Sequence, residues 1–213
     1  MTIYFEDKNI RIRKIPCGDY GNNAYVITCV LTGDSAIIDT PGEPEKVLQE
    51  IDAGDVKAIF ITHGHFDHIL GFELIQDSTK SAVGINNADA EHLDHHPELS
   101  MEGDKEFKLG ELKLQFIHTP GHTPGSTCIL VGNHLFTGDT LFPGGPGRTR
   151  SPENLRQEIE SITNKLLCLP DSVEVYPGHG DNTTLFKCKA DYAVFASKEH
   201  PEELCGDVLW LSS

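Results

Sequence analysis

Positive charge is scarce in this chain. Its 213 residues hold 17 Lys and Arg against 33 Asp and Glu, a formal net charge of −16. A surface so acidic repels phosphate backbones and anionic lipid, so general nucleic-acid binding and docking on acidic membranes are excluded. A small anionic substrate in a locally positive pocket is not. Long apolar runs are missing too, and none approaches the ~20 residues a membrane span requires. The stretch Met1 to Asp7 carries acid and lacks the basic and apolar regions of a signal peptide. There is no Cys-x-x-Cys pair. The six cysteines, at 17, 29, 128, 168, 188 and 205, are scattered and read as reduced, buried thiols of a cytoplasmic protein. No repeat, low-complexity tract or linker breaks the chain, so one domain over residues 1–213 is expected. Methionine and tryptophan are rare, 2 and 1, whereas histidine reaches 11. Histidine is the commonest metal ligand, so its placement is the first question.

Strand signals dominate the first part. Ile10–Ile15 alternates apolar and basic residues, and Ala24–Leu31 is rich in β-branched residues. Thr32-Gly-Asp34 then turns the chain into Ser35–Asp39. Helical spacing covers 43–51, Val56–Ile61 reads as a buried strand, and a helix is expected over 69–76. The second part repeats the mixture. Strands are expected at 81–85, 112–117, 127–131, 134–137 and 173–176, and short or long helices at 87–93, 152–167 and 183–198. Ser151 can cap the helix that opens with Pro152. Strand meanders with helices in both halves point to layered sheets with helices outside. Val208–Leu211 is an apolar tail that can cover an edge strand or meet another subunit.

His63-Gly-His-Phe-Asp-His68 directly follows the buried strand and precedes a helix. Four potential ligands in six residues cannot sit in a core without partners for their polar atoms. Strand parity puts His63, His65 and Asp67 on one side, with His68 joining from the turn. Imidazole with carboxylate suits Zn, Fe or Mn better than Ca or Mg. Three later segments have the same form, a polar residue in a glycine turn just past an apolar strand: Thr119-Pro-Gly-His122, Thr137-Gly-Asp139 and Pro177-Gly-His179. Five histidines and two aspartates exceed one tetrahedral metal and fit two, with one carboxylate shared. His118 is in phase with Leu112, Leu114 and Phe116 and reads as a hydrogen-bonded core or supporting group, while His122 lies beyond a Pro-Gly turn, free to reach the site. His92, His95 and His96 fall in an acidic, Pro-terminated stretch and are expected to face solvent; His134 and His200 lack supporting glycine turns.

These segments, in this order and spacing, resemble the metallo-β-lactamase-fold hydrolase superfamily, and within it the short glyoxalase II-like (hydroxyacylglutathione hydrolase-like) group. The resemblance spans about residues 20–185. It implies an α+β fold, a four-layered αβ/βα sandwich with the site along one edge of the two sheets. It assigns His63, His65 and His122 to a first metal and Asp67, His68 and His179 to a second, with Asp139 bridging. Asp39, in Ile37-Ile-Asp-Thr40, matches an aspartate that supports the histidine loop. No cysteine adjoins these motifs, unlike many true β-lactamases. A mononuclear iron persulfide dioxygenase, a relative, would use a two-His-one-carboxylate triad that this chain also keeps. An RNase Z-like nuclease is disfavoured by the acidic charge.

Two divalent ions, zinc first with iron or manganese as alternatives, would hold a bridging hydroxide, because a bound metal lowers the pKa of water toward ~7. Asp67 and Asp139 are the catalytic candidates, Asp67 accepting the hydroxide's proton. No separate general acid is evident. That favours a thiolate leaving group, whose parent thiol has a pKa of ~8.5. Hydrolysis of small thioesters of the hydroxyacyl-glutathione type is therefore the expected activity, with lactones and activated esters behind it. Arg148, in Gly147-Arg-Thr149, is a candidate for holding a substrate carboxylate, or for pairing with a structural acid. The Gly-rich run 144–147 lacks the Gly-Lys-Ser/Thr ending of a P-loop. Too little chain follows Asp139 for the C-terminal helical domain with which larger glyoxalase II enzymes contact glutathione.

Overall fold

Runs of β-branched and aromatic residues, broken by glycine turns, make strands that pair into two facing sheets. The computed structural model describes residues 3–52, 54–103 and 105–213. Among them the first sheet has seven strands in chain order: β1 (Ile3–Glu6), β2 (Ile10–Cys17), β3 (Asn22–Cys29), β4 (Ser35–Ile38), β5 (Val56–Phe60), β6 (Ala82–Ile85) and β7 (Leu99–Ser100). The second sheet begins with β8 (Glu106–Leu109), β9 (Leu112–His118), β10 (Thr127–Val131) and β11 (His134–Gly138). After a small ribbon of β12 (Leu141–Phe142) and β13 (Gly145–Pro146), it is completed by β14 (Glu174–Pro177) and β15 (Thr183–Thr184), in the order β15-β14-β11-β10-β9-β8.

Period-two alternation explains the layers. In β3, Tyr25 and Ile27 face the second sheet, where they meet Phe116, Ile129 and Phe136. Ala24 and Val26 face outward, beneath α1 (Pro44–Gln49) and α2 (Phe72–Thr79). The outer face of the second sheet, with Cys128, Leu135 and Val175, lies beneath α3 (Pro152–Ser161) and α4 (Leu185–Ala196). The result is the expected αβ/βα sandwich. β4 and β5 run parallel, as do β11 and β14, and β9 shares the direction of β11 through antiparallel β10. The carboxyl ends of β4, β5, β9, β11 and β14 therefore gather at one edge. No helix among the described residues is long and apolar enough to cross a membrane.

Several sequence expectations shift. The helix anticipated over 69–76 is a 3-10 turn at Phe66–His68 followed by α2. Residues 68–71 are tied to the end of β4 instead, with Thr40 N–H donating to His68 O and Gly71 N–H to Thr40 O. The helix from Pro152 is capped by Ser151 as expected, but its last turn widens into a π turn at Ile162–Leu166. β1, β7 and β8, of four, two and four residues, were not anticipated as strands. Arg13 is buried, 2% exposed, because Asp52 pairs with its guanidinium at 2.8 Å. All six cysteines are free thiols; Cys168 is exposed and Cys205 half-buried, the other four buried.

The apolar tail forms no strand. Val208 and Trp210 turn into the core under α4, while Leu209 and Leu211 face out. Trp210 N–H donates to Gly144 O (2.9 Å), and its ring packs edge-on against Tyr192 at 5.4 Å. Trp210→Ala is expected to cost about 3–5 kcal/mol in urea unfolding, the range for a fully buried large aromatic. A loss below about 1 kcal/mol would show that the tail packs on the core without contributing to it.

Candidate metal centre

Gly138, the last residue of β11, has φ +47° and lies against Thr62, where a Cβ would collide with the threonine side chain. Only glycine lets Asp139 follow so closely. Gly121, at φ +148°, lays the 119–125 loop against Glu158 of α3 in the same way. Such turns bring all seven proposed ligands together.

They form two groups. His63, His65 and His122 converge, with His63 Nε2 3.1 Å and His122 Nε2 2.9 Å from His65 Nδ1. Asp67, His68 and His179 form the second group, with His68 Nε2 3.2 Å from His179 Nε2 and His179 Nε2 3.3 Å from Asp67 Oδ2. Asp139 faces both, its Oδ2 3.7 Å from His122 Nε2 and 3.4 Å from His179 Nε2, and its Oδ1 3.3 Å from His68 Nε2. The strand-parity grouping of Asp67 with His63 and His65 is thus corrected: the 3-10 turn at 66–68 swings Asp67 across to His179.

Outer partners set the ring orientations. Nδ1–H of His68 donates to Asp39 Oδ2 (2.9 Å), that of His122 to Arg148 O (2.9 Å), and that of His179 to Tyr20 O (3.0 Å). Thr62 Oγ1 donates to Asp39 Oδ2 at 2.8 Å and accepts from His63 Nδ1 at 3.1 Å. Each acceptor holds a proton on Nδ1 and leaves Nε2 aimed inward, free to ligate once any second proton is lost. Asp39 takes the supporting place that the resemblance implied. It also accepts from Thr62 N–H (2.8 Å) and holds a left-handed φ of 59°.

Inward lone pairs about 3 Å apart repel unless something positive lies between them. Asp139 Oδ1 adds a buried carboxylate oxygen with no hydrogen-bond partner among the described residues. Imidazoles with two carboxylates are the donor set of Zn, Fe or Mn. The residues present therefore fit divalent metal. Burial keeps His63 and His122 well disposed to stay neutral and lowers His65 to about 4, the state in which imidazole can ligate. In the second group burial is outweighed by carboxylates: Asp139 and Asp39 raise His68, and Asp139 and Asp67 raise His179 to about 10. Asp139 is held well below the usual carboxylate range by His68 and His179.

Arg148 is on the rim, 74% exposed, and reaches only the exposed Asp207, at 3.7 Å. His118, the last residue of β9, is half-buried rather than buried and is in none of the ligand groups; its Nε2–H donates to Pro124 O (2.9 Å), the hydrogen-bonded role expected of it. His92 and His96 face solvent, and His95 pairs with Glu98 at 3.1 Å. His134 is buried against Tyr176 Oη (2.9 Å), and His200 stacks on Phe195.

Sequence reading missed the braces. Asp89, 1% exposed, accepts from Gly64 N–H (2.9 Å), Gly125 N–H (2.8 Å) and Thr123 Oγ1 (2.6 Å), tying two ligand loops together. Asn22 Nδ2 donates to Asp67 Oδ2 (2.9 Å), and Tyr25 Oη donates to Pro177 O (2.7 Å) below His179. None of these lies in a motif-like run, and only the folded chain juxtaposes them.

The family model of the Metallo-beta-lactamase superfamily matches residues 17–184. The chain belongs to that superfamily, a class of metal-using hydrolases, and falls with its glyoxalase II-like group. It is 36% identical over 191 residues to a probable hydroxyacylglutathione hydrolase, glo2, of Schizosaccharomyces pombe, covering 84% of this chain and 71% of that one. It is 33% identical over 203 residues to the hydroxyacylglutathione hydrolase GloC of Haemophilus influenzae, covering 82% and 95%. Among solved structures, ETHE1 from Myxococcus xanthus superposes with a TM-score of 0.77 at 28% identity, covering 88% and 85%.

Asp89→Ala removes a three-way acceptor and leaves two buried amides unpaired, a loss of about 1–3 kcal/mol for each orphaned group. Hydrogen exchange at Gly64 and Gly125 should accelerate ahead of the rest of the sheet. Unchanged protection at both amides would show that Asp89 is not the brace.

Proposed function

We propose that the chain, acting as one domain over residues 1–213, is a binuclear metal-dependent hydrolase of small thioesters of the hydroxyacyl-glutathione type. The observation that supports this best is the position of Asp139, the carboxylate that faces both groups of ligands. His63, His65 and His122 would hold one divalent ion and Asp67, His68 and His179 the other, with Asp139 common to both and zinc the expected metal. A full second group speaks against a mononuclear iron centre. The name of GloC, a protein matched over 95% of its length, argues that glutathione thioesters do not demand the extra helical domain of the larger enzymes. An acidic surface and no membrane-spanning helix among the described residues fit a cytoplasmic enzyme with a small-molecule substrate, and with neither nucleic acid nor membrane as a partner.

Bound divalent ions would acidify water and polarise a substrate carbonyl, giving a nucleophile at neutral pH. The side chains do the rest. Asp67, held by Asn22, keeps a carboxylate oxygen beside His179, placed to take the proton released on attack. Asp39, Arg148 O and Tyr20 O each accept from an outer Nδ1–H, which fixes the rings of His68, His122 and His179 with Nε2 toward the site. A further buried acid behind the His122 loop, Glu158, is kept protonated by burial, which lifts it to about 9. It is sealed beneath Gly121 and Gly147 and cannot reach a leaving group. A leaving group that departs unprotonated, a thiolate, suits that arrangement; an amine does not.

Metal analysis with a panel of thioesters, lactones, phosphodiesters and a persulfide tests the reading. Two ions per chain and fastest turnover of thioesters are expected. One iron with oxygen uptake on the persulfide would replace the hydrolase with a dioxygenase. Asp139→Asn should weaken both ions together, and retention of two tight ions with full turnover would remove the bridge. His122→Ala should loosen the first ion and lose most activity. His118→Ala should cost at most about 10–100-fold, the usual effect of a supporting residue. The opposite ranking would exchange their roles. Arg148→Ala should raise KM for anionic thioesters and leave kcat for neutral ones nearly unchanged; equal effects on both would take Arg148 out of the substrate site.

A further inference from the structure

The C-terminal tail lies beyond the stretch matched by the superfamily, yet it walls the centre. Thr149 and Gly206 exchange backbone hydrogen bonds (3.2 and 3.0 Å), and Trp210, fully buried, ties to Gly144. Residues 205–209 are thereby fixed across the mouth of the site. They contribute to two clefts that both open on His122. One, of about 280 Å³, also touches Asp139 and His179, is lined by Phe142, Pro143, Pro146, Val208 and Leu209, and has Arg148 and Asp207 at its edge. The other, of about 560 Å³, touches His65 and is lined by Arg148, Thr149, Arg150, Cys205 and Gly206.

The two clefts differ in chemistry. Arg148 borders both clefts; in the first, apolar side chains dominate and Asp207 stands beside that arginine, while Arg150 lines only the second. In the second, Arg150 is exposed and makes no hydrogen bond or ion pair among the described residues. Arg148 has only the distant, exposed Asp207. In a chain of net charge −16, two guanidinium groups without close acidic partners at one rim form a local positive field. Guanidinium is suited to bind carboxylates in pairs of hydrogen bonds.

We propose that the tail divides the mouth into an apolar and a cationic subsite. The substrate is then a thioester with a carboxylate-bearing group on one side of the reacting carbonyl and an apolar chain on the other. Leu209 and Arg150 are the specificity-determining residues. This rests on the hydrolase reading for the reaction but not for the shape and charge of the two clefts.

Calorimetry on the metal-loaded protein tests it with three thioethers that cannot be hydrolysed. S-hexylglutathione has carboxylates and an apolar chain, S-methylglutathione has only the carboxylates, and the S-hexyl derivative of N-acetylcysteamine has only the chain. S-hexylglutathione should bind most tightly. Arg150→Ala should weaken both glutathione thioethers about tenfold, as for a lost hydrogen bond to a charged group, and spare the neutral one. Leu209→Ser should weaken both hexyl compounds about fivefold and spare S-methylglutathione. Both side chains are exposed, so urea midpoints should not move. If S-hexylglutathione binds no better than S-methylglutathione, or if either variant affects all three probes equally, the two-subsite proposal fails. Absence of thioester turnover with the binding pattern intact would instead overturn the hydrolase reading and leave the subsites standing.

Discussion

Ring nitrogens of His63 and His122 lie 3.1 and 2.9 Å from one of His65, and those of His68 and His179 3.2 Å apart. Lone pairs at that spacing repel, and the surrounding structure holds them there. The means are hydrogen bonds from the outer ring nitrogens to Asp39, Thr62, Tyr20 O and Arg148 O. Each fixes a tautomer as well as a position. Arg148 is therefore used twice, its carbonyl orienting His122 while its side chain faces solvent at the rim.

Rigid strands make that arrangement affordable in entropy. The ligands sit on short loops, but each loop leaves the carboxyl end of a strand whose backbone is already ordered. Cross-links then join the sheets at the same edge: Thr127 N–H to Thr62 O (2.9 Å) and Asn23 N–H to Gly178 O (2.7 Å). Asp89 adds a side-chain tie between the loops of His65 and His122. A site that depends on separations of a few ångströms between side chains far apart in sequence needs this kind of bracing.

Much of the site was legible because ligand chemistry is concentrated in short runs. The cluster at 63–68, and glycine turns after apolar strands at 119–122, 137–139 and 177–179, advertise themselves. The inner strands were legible for a similar reason, since residues buried on both faces, as in β3, leave continuous apolar text. What failed was geometry that no local period encodes. Parity assumed that strand conformation continued through Asp67, whereas His65 and Phe66 begin a 3-10 turn. The same assumption buried His118, which at the end of β9 is only half-buried. Asp89, Asn22 and Tyr25 were invisible because their partners are other loops. The tail read as an edge cover or a subunit contact because its alternation resembles a strand, yet it is a buried anchor at Val208 and Trp210.

Glu158 shows how the site's charge is kept local. A carboxylate so close to the centre would compete with Asp67 and Asp139 for any cation. Complete burial makes its ionised form costly, raises its pKa to about 9 and so keeps it neutral at physiological pH. Asp139 is only half-buried and faces His68 and His179, and it stays ionised. The two acids differ in their neighbours as well as in their burial. Negative charge inside the site is thereby confined to the carboxylates that face the imidazoles, Asp67 and Asp139, and to Asp39 behind His68. Among the described residues the nearby positive charge of Arg148 and Arg150 remains at the rim. An anionic substrate is drawn toward that rim although the protein as a whole repels it, because a field within a few ångströms outweighs a screened net charge farther away.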